Sequence, residues 1–475
     1  MLTYLSIWVH RRPIAIPLIA ILSFSTTWLI VTQPRYWFVY ALAFISLYSL
    51  FNLFRAYASH INTEHLRMIT RKTALVLWLM QLVIGGIGIM FYYVSPGFNV
   101  PLVLIGLDCL TAVSLLSSTL RSAHITKTLH LKTRIISTEV PTLTVAIPAR
   151  NESESLYECL HSLINNDYPK LEILVLDDHS TNRRTSEIVR SFAHDGVEFI
   201  PGTEFSEEWL AKNWAYQQLL EAANGQLILF CGADVRFDQT SLRFLVSALV
   251  SRNKRMLSVM PHSTIPVSFF RSVFKELRYG WELSLPRRKL ERPPVLSTCW
   301  LTYRDFLIQN GGFRGIGRKV SPEIYFAKLA TKKDQYSFFR SPLLTSEKNL
   351  PDQKETAIRL RYPQLHRRIE VVAALAFFEI MLVGLSVWYA VNGAIHQSWM
   401  VLALSCLAYV LFAFNFSWLY RLIYGKSSLM SFIAWPYVIV ADLWLMHLSM
   451  YKYELGEVVW KGRSISSSVM FQDAD

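Results

Sequence analysis

The sequence predicts a mostly parallel α/β domain inserted between two bundles of membrane-spanning helices, and three observations carry that expectation. Of 475 residues, 52% are hydrophobic and only 17% charged, a balance too apolar for an ordinary soluble protein. Uncharged runs of about 20 residues, the length that crosses a bilayer, cluster toward the two ends of the chain. Between them, from Arg121 to Ile369, short apolar runs alternate with amphipathic stretches, the pattern of a sheet covered by helices on both faces.

In the N-terminal segment, residues 1–120, four spans are expected: Pro13–Val31, Tyr36–Phe54, Thr73–Val94 and Asn99–Leu120. In the C-terminal segment, residues 370–475, the runs Val371–Val391, Trp399–Tyr420 and Leu429–Met450 bring the count to seven. No small-residue cleavage site separates the first two spans, so the first does not read as a cleaved signal peptide. The loop with Arg55, Arg67, Arg71 and Lys72 reads as cytoplasmic, and the loops near Pro96 and at Asn392–Ser398, which lack Lys and Arg, read as external. The central segment, residues 121–369, then faces the cytoplasm. Seven spans put the tail with Lys452, Lys461 and Arg463 outside, against the positive-inside rule. Either Leu429–Met450, broken by Pro436, is re-entrant or interfacial, or another span is miscounted. The excess of 48 Lys+Arg over 35 Asp+Glu is assigned to loops facing anionic lipid, not to nucleic acid. Five scattered cysteines without CxxC spacing give neither a zinc site nor a disulfide scaffold.

Within the central segment, strands are expected at Leu143–Pro148, Leu171–Leu176, Val197–Ile200, Gln226–Phe230 and Met256–Met260. Helices are expected at Glu152–Ile164, Thr181–Ala193, Lys212–Ala223 and Thr240–Val250. Such sheets bind ligands at the carboxyl ends of their strands. There stand Pro148-Ala149-Arg150-Asn151-Glu152, Asp177-Asp178-His179-Ser180 and Cys231-Gly232-Ala233-Asp234. Any one cluster is explained by helix capping or a solvated turn; three at successive strand ends converge on one crevice. No GxGxxG or GxxxxGK[ST] loop is present, which disfavours dinucleotide enzymes and P-loop ATPases.

The opening Val145–Glu152 (VAIPARNE), the DDHS cluster, Trp209-Leu210-Ala211-Lys212-Asn213-Trp214-Ala215, Asp234 and Gly311-Gly312-Phe313 follow one another in order, with Trp460-Lys461-Gly462-Arg463 near the end. In this order the chain resembles membrane-bound family 2 glycosyltransferases of the Rossmann-like GT-A fold, especially bacterial hopanoid-associated and carotenoid glycosyltransferases and, more distantly, ceramide glucosyltransferases. The resemblance implies transfer of a sugar from a UDP- or GDP-sugar donor to a membrane lipid at a bacterial-type plasma membrane. It implies a donor site at Pro148, Ala149, Arg150, Glu152, Asp177 or Asp178, Gly232 and Ala233, with Lys212 as a point charge on the leaving nucleoside diphosphate. It further implies a Mg²⁺ or Mn²⁺ ion on Asp234, and Glu323 as the base. Two departures accompany it: the family's Asp-x-Asp metal motif stands here as Gly232-Ala233-Asp234, and its Glu-Asp pair as Pro322-Glu323. The Gln-x-x-Arg-Trp motif of processive relatives is echoed only by Arg361-Tyr362, which implies a non-processive enzyme and makes those two residues acceptor-side candidates.

A basic aromatic stretch, Phe269–Leu290, with Trp281 as a further acceptor-side candidate, suits the membrane interface. Two rival classes stand beside this expectation. Asp108, Glu379 and Asp442 lie well inside expected spans, where charge is costly and functional by default, so a transporter or flippase with a carboxylate relay is one. A non-catalytic scaffold that retains the fold is the other.

Overall fold

The computed structural model describes residues 100–132, 140–206, 208–263, 268–272, 295–346, 350–365, 367, 369–425, 428–454, 458–461 and 463–465. The expected spans Pro13–Val31, Tyr36–Phe54 and Thr73–Val94, the Arg55–Lys72 loop and Trp281 lie outside the described residues.

Helix α1 (Val100–Lys132) leads toward the domain. Its 33 residues reach about 50 Å at 1.5 Å per residue, well past the expected end at Leu120. No Gly or Pro stands between Gly106 and Pro141 to stop it. The domain follows as β1 (Leu143–Ala149), α2 (Glu154–Ile164), β2 (Leu171–Asp177), α3 (Arg184–Ser191), β3 (Val197–Pro201), α4 (Ala211–Ala222), β4 (Leu227–Cys231) and β5 (Val235–Phe237). It continues with α5 (Ser241–Val250), β6 (Met256–Ser263), α6 (Phe269–Ser272), β7 (Cys299–Tyr303), α7 (Arg304–Gln309), α8 (Glu323–Lys332) and β8 (Tyr336–Ser346).

One eight-stranded sheet runs β3-β2-β1-β4-β7-β6-β8-β5. The β3-β2-β1-β4 half is parallel, as expected. The other half is mixed: β7 lies antiparallel to both β4 and β6, and β5 antiparallel to β8. Strands β5, β7 and β8 were not legible as strands, the first for its brevity and the last because Pro342 interrupts its run. Period-2 alternation sorts the strand side chains into two cores. Val145 and Ile147 pack with Leu156, Leu160 and Leu163 of α2 on one face. Ala146, Leu174 and Phe230 pack with Leu219 of α4 and with Trp300 and Phe326 on the other.

After the sheet come α9 (Leu350–Gln364), α10 (Ile369–Ile395), α11 (Trp399–Tyr424), α12 (Leu429–Ile433) and α13 (Trp435–Glu454). Among the described residues three helical stretches are long and apolar enough to cross a membrane: Leu102–His124, Phe378–Ile395 and Trp399–Tyr424. Their outer surfaces carry exposed apolar side chains such as Leu110, Trp388 and Trp399. The expected span Leu429–Met450 is not one of them. It breaks at Ala434 into α12 and α13, with Pro436 in the first turn of α13, where its missing N–H costs nothing.

The chain then forms a short hairpin, β9 (Val459–Trp460) and β10 (Arg463–Ser464). This hairpin lies against the domain. Lys461 Nζ donates to Arg150 O at 2.6 Å and Arg463 Nη1 to Asp178 Oδ1 at 2.9 Å. These contacts place Lys461 and Arg463 beside the strand ends of the sheet domain.

Candidate active site

The ends of β1, β2 and β4 meet as a parallel sheet requires, and polar loop residues fasten them together. Asp178 N donates to Ala149 O at 2.8 Å, Asn151 N to Ser180 Oγ at 2.9 Å, and Thr181 N to Asn151 Oδ1 at 2.8 Å. Asn151 and His179 hold positive φ of 50° and 53°, a conformation costly for most side chains and tolerated best by Asn, Asp and His. The two loops are thereby turned outward at one crevice.

That crevice opens into a cavity of about 720 Å³. Pro148, Ala149, Arg150 and Glu152 line it after β1, Asp178 after β2, and Gly232, Ala233 and Asp234 after β4, with Lys212 from α4. Of the donor-side residues expected from sequence, Asp177 alone is not in its lining. Its Oδ1 accepts from Ser180 N at 3.1 Å and from Ser180 Oγ at 2.5 Å, so its carboxylate closes the turn that aims Asp178.

Asp234 is held from the far edge of the sheet, where Ser346 Oγ donates to its Oδ2 at 3.2 Å. Gly232 makes room for it: a Cβ at that position would lie 2.5 Å from Asp234 Oδ1. Among the described residues no group of three or more His, Cys, Asp or Glu side chains is arranged to hold a metal ion. Asp234 offers one hard carboxylate facing a cavity. That is a sufficient protein contribution for Mg²⁺ or Mn²⁺ when phosphate oxygens and water complete the shell.

The Trp209–Ala215 motif has a structural logic. Buried Asn213 donates through Nδ2 to Gly317 O and Lys319 O, both at 2.7 Å. Leu210 N donates to Gly317 O at 2.8 Å. These bonds clamp the loop that leads into α8, and so they position Glu323 relative to Lys212. Gly311 and Gly312, with φ of 81° and 60°, make the turn that brings Phe313 N within 2.8 Å of Gln217 Oε1 on α4.

Glu323 opens α8 and is 2% exposed. It does not line the cavity, but it interacts electrostatically with Lys212 and Tyr216, which do. Its Oε2 is buried with no hydrogen-bond partner among the described residues. Burial pushes its carboxyl above the usual carboxylate range, against the opposing pull of Lys212 and the Ser321 hydroxyl. Lys212 Nζ stands 5.0 Å from the centre of the Tyr216 ring. Burial, then the neighbouring Glu323, hold the Tyr216 phenol well above its ordinary value, so Tyr216 stays neutral.

Helix α9 forms a wall of the cavity that sequence reading missed. Asp352, Glu355, Thr356 and Arg359 line it at positions i, i+3, i+4 and i+7, one helix face. Arg361 lies on the opposite face and Tyr362 on the flank, and both are turned into the interior, 3% and 0% exposed. Arg361 pairs with Asp442 of α13 and stands 4.0 Å from Glu379 of α10. Tyr362 donates its hydroxyl to Arg367 O at 2.8 Å. The signal that would have found the wall was the periodicity of α9 itself, which puts Arg359, not Arg361, on the same face as Asp352.

The chain is similar to known proteins over part of its length. Residues 144–311 match the family model described as Glycosyl transferase family 2. Over 134 residues the chain is 31% identical to 4,4'-diaponeurosporenoate glycosyltransferase of Staphylococcus aureus strain N315, covering 28% of this chain and 35% of that protein. The chain thus spans about a third of the length of the curated relatives it matches. A solved mannosyltransferase from Pyrobaculum calidifontis, in complex with GDP-Man and Mn²⁺, aligns at TM-score 0.41 and 17% identity over 74% of this chain and 98% of that one. Residues 1–349 of S. aureus TarS in complex with UDP align at TM-score 0.35 and 15% identity, over 66% and 92% of the two chains. The Rossmann-like sheet of residues 143–346 is the GT-A core, with apolar helices before and after it.

Proposed function

We propose, on the premise that residues 144–311 carry a family 2 glycosyl transferase domain, that the protein is an inverting, non-processive glycosyltransferase. It moves a sugar from a UDP- or GDP-sugar to a hydroxyl or phosphate of a membrane lipid, at the cytoplasmic face of a bacterial-type plasma membrane. One observation carries the reading: a single cavity gathers the strand-end residues Glu152, Asp178 and Asp234 with Lys212, and α9 walls it between the sheet and the apolar helices.

On this reading the nucleoside lies over Ala149 and Glu152 with Asp178 at its hydroxyls, and the diphosphate lies toward Lys212 and Asp234. A divalent ion on Asp234, when bound, supplies positive charge to the leaving group. The acceptor oxygen attacks the anomeric carbon from the face opposite the leaving oxygen. The bond from the anomeric carbon to the β-phosphate oxygen breaks, configuration inverts, and the hydroxyl proton passes to the Glu323 carboxylate, which must reach the cavity past Lys212 and Tyr216 for this step. Glu323's buried, unpartnered oxygen and raised proton affinity suit a base that works near neutral pH. Lys212 beside it favours the ionised form needed before each turnover.

The ion cluster of Arg361, Glu379 and Asp442 weighs against a proton or cation relay, because the acids already face a guanidinium inside the helix packing. The test is transfer of label. Full-length protein in lipid nanodiscs is incubated with labelled UDP- and GDP-sugars and a bacterial lipid extract. Label moving into the organic phase, dependent on Asp234, supports the proposal; nucleotide-sugar binding without any transfer would favour the scaffold reading.

A further inference from the structure

The hairpin of β9 and β10 brings two cations to the strand ends. It leaves the last helix of the apolar bundle, crosses to the ends of β1 and β2, and lays two cations on the two acids that line the nucleoside end of the cavity. Lys461 Nζ pairs with Glu152 Oε1 and donates to Arg150 O at 2.6 Å. Arg463 Nη1 spans both oxygens of Asp178, at 2.9 and 3.0 Å. The four side chains are 28%, 18%, 27% and 9% exposed in the order Lys461, Glu152, Arg463, Asp178, so these are not loose surface pairs.

The two cations differ in placement. Lys461 lines the cavity, and Arg463 does not. Arg463 holds Asp178 from outside the lining, with its guanidinium 5.2 Å from the Phe205 ring. Lys461 also holds φ of 46°, a left-handed conformation that a lysine adopts at a cost. A glycine would satisfy the backbone more cheaply there; the side chain at that position is what the strain retains.

Electrostatics gives the arrangement a consequence. A nucleoside diphosphate is an anion, and Glu152 and Asp178 without their partners would repel it from the end of the cavity that must admit it. Building on the donor-site reading above, we infer that the C-terminal hairpin is a working wall of that site. Lys461 neutralises and fixes Glu152 at the nucleoside end, so that the anionic donor can enter, and Arg463 is a positioning residue that fixes the Asp178 carboxylate for the donor's hydroxyls. Donor affinity is thereby tied to an element anchored on the apolar helices.

The test measures UDP and GDP binding to full-length protein in nanodiscs by calorimetry, with donor and acceptor KM followed separately. Removing a charge-assisted contact corresponds to about a 10–100-fold loss. Lys461→Met is therefore expected to weaken nucleoside diphosphate binding by about that factor and to raise donor KM, with acceptor KM unchanged. Lys461→Arg should stay within a few-fold of wild type. Arg463→Gln should raise donor KM as well, with Arg463→Lys restoring part of it. Should Lys461→Met fail to fold, amine acylation of the wild-type protein decides: saturating UDP or GDP should protect Lys461. Unchanged affinity in folded Lys461→Met, or no protection of Lys461, overturns the inference. So does tighter binding, which would make the hairpin a plug that the donor must displace. If wild-type protein binds no nucleoside diphosphate at all, the fault lies instead with the donor-site reading on which the inference rests.

Discussion

Two clusters of charge in this molecule are built alike and sit in opposite settings. At the strand ends, Lys461 and Arg463 pair with Glu152 and Asp178 beside an open cavity. Inside the helix packing, Arg361 pairs with Asp442 and approaches Glu379 with almost no exposure. Both join an element late in the chain to one that precedes it. The first lines a cavity with space for a ligand, where the pairs can be exchanged for contacts to a guest. In the second, the closed cluster, the pairing joins Arg361 to Asp442 and brings Glu379 to 4.0 Å, all three nearly without exposure. Burial of a charged group therefore does not distinguish a site from a brace; adjacency to a cavity does.

The largest expected effect belongs to Glu323, a buried neighbour of the cavity-lining Lys212. Glu323→Gln should lower turnover by about 10²–10⁴-fold, the usual contribution of a general base, while nucleotide-sugar affinity stays nearly intact. Glu323→Asp should retain substantial activity. If Glu323 only begins its helix, Gln instead costs a little stability and leaves the rate per folded molecule unchanged. Single-turnover kinetics with calorimetric donor binding separates the two.

Asp234→Asn should follow, lowering turnover by about 10²–10³-fold, as loss of one electrostatic group at a leaving group does, and abolishing the divalent dependence of nucleoside diphosphate binding. Calorimetry with and without Mn²⁺ checks it; unchanged, metal-dependent binding would remove Asp234 from the donor site.

In the closed cluster the expected effect is on stability. Arg361→Met leaves two buried acids without their cation, which costs about 3–5 kcal/mol. Adding Glu379→Gln and Asp442→Asn should recover much of that loss. Thermal unfolding in detergent reads this, and turnover per folded molecule should be unchanged throughout. A raised acceptor KM in Arg361→Met would break the comparison by giving the closed cluster a part in acceptor binding.

The smallest effect is the pH dependence. Burial raises the folded-state pKa of Glu323, so its contribution is fully kept below the unfolded value of about 4.3 and is lost as pH rises through the folded pKa. Activity runs the other way, since the base must be ionised. The acidic limb of the rate profile should therefore lie above the ordinary carboxylate range, and Glu323→Gln should flatten the matching slope in stability against pH.

Much of this was legible in the sequence because local pattern and tertiary setting agree. The strand ends of β1, β2 and β4 could be placed from apolar runs followed by polar clusters, and the clusters do meet. What escaped reading depended on long-range placement. Nothing local says that Lys461 reaches Glu152, more than 300 positions earlier. Asp177 and Asp178 are chemically alike, and only the Ser180 turn decides which faces the cavity. Arg361 was taken for the acceptor side by its place in a motif, while the 100° step of the helix turns it inward and Arg359 outward. The acids Glu379 and Asp442 read as costly isolated charges because their partner lies on another helix.

The location of the donor is the most direct test of the distinction between open and closed clusters. A photoreactive nucleoside diphosphate can be cross-linked to the full-length protein and the labelled peptides mapped by mass spectrometry. Label should fall on residues 148–154, 177–180 and 231–236 and be competed away by UDP or GDP. Competable label concentrated instead around Arg361, Glu379 and Asp442 would contradict the account.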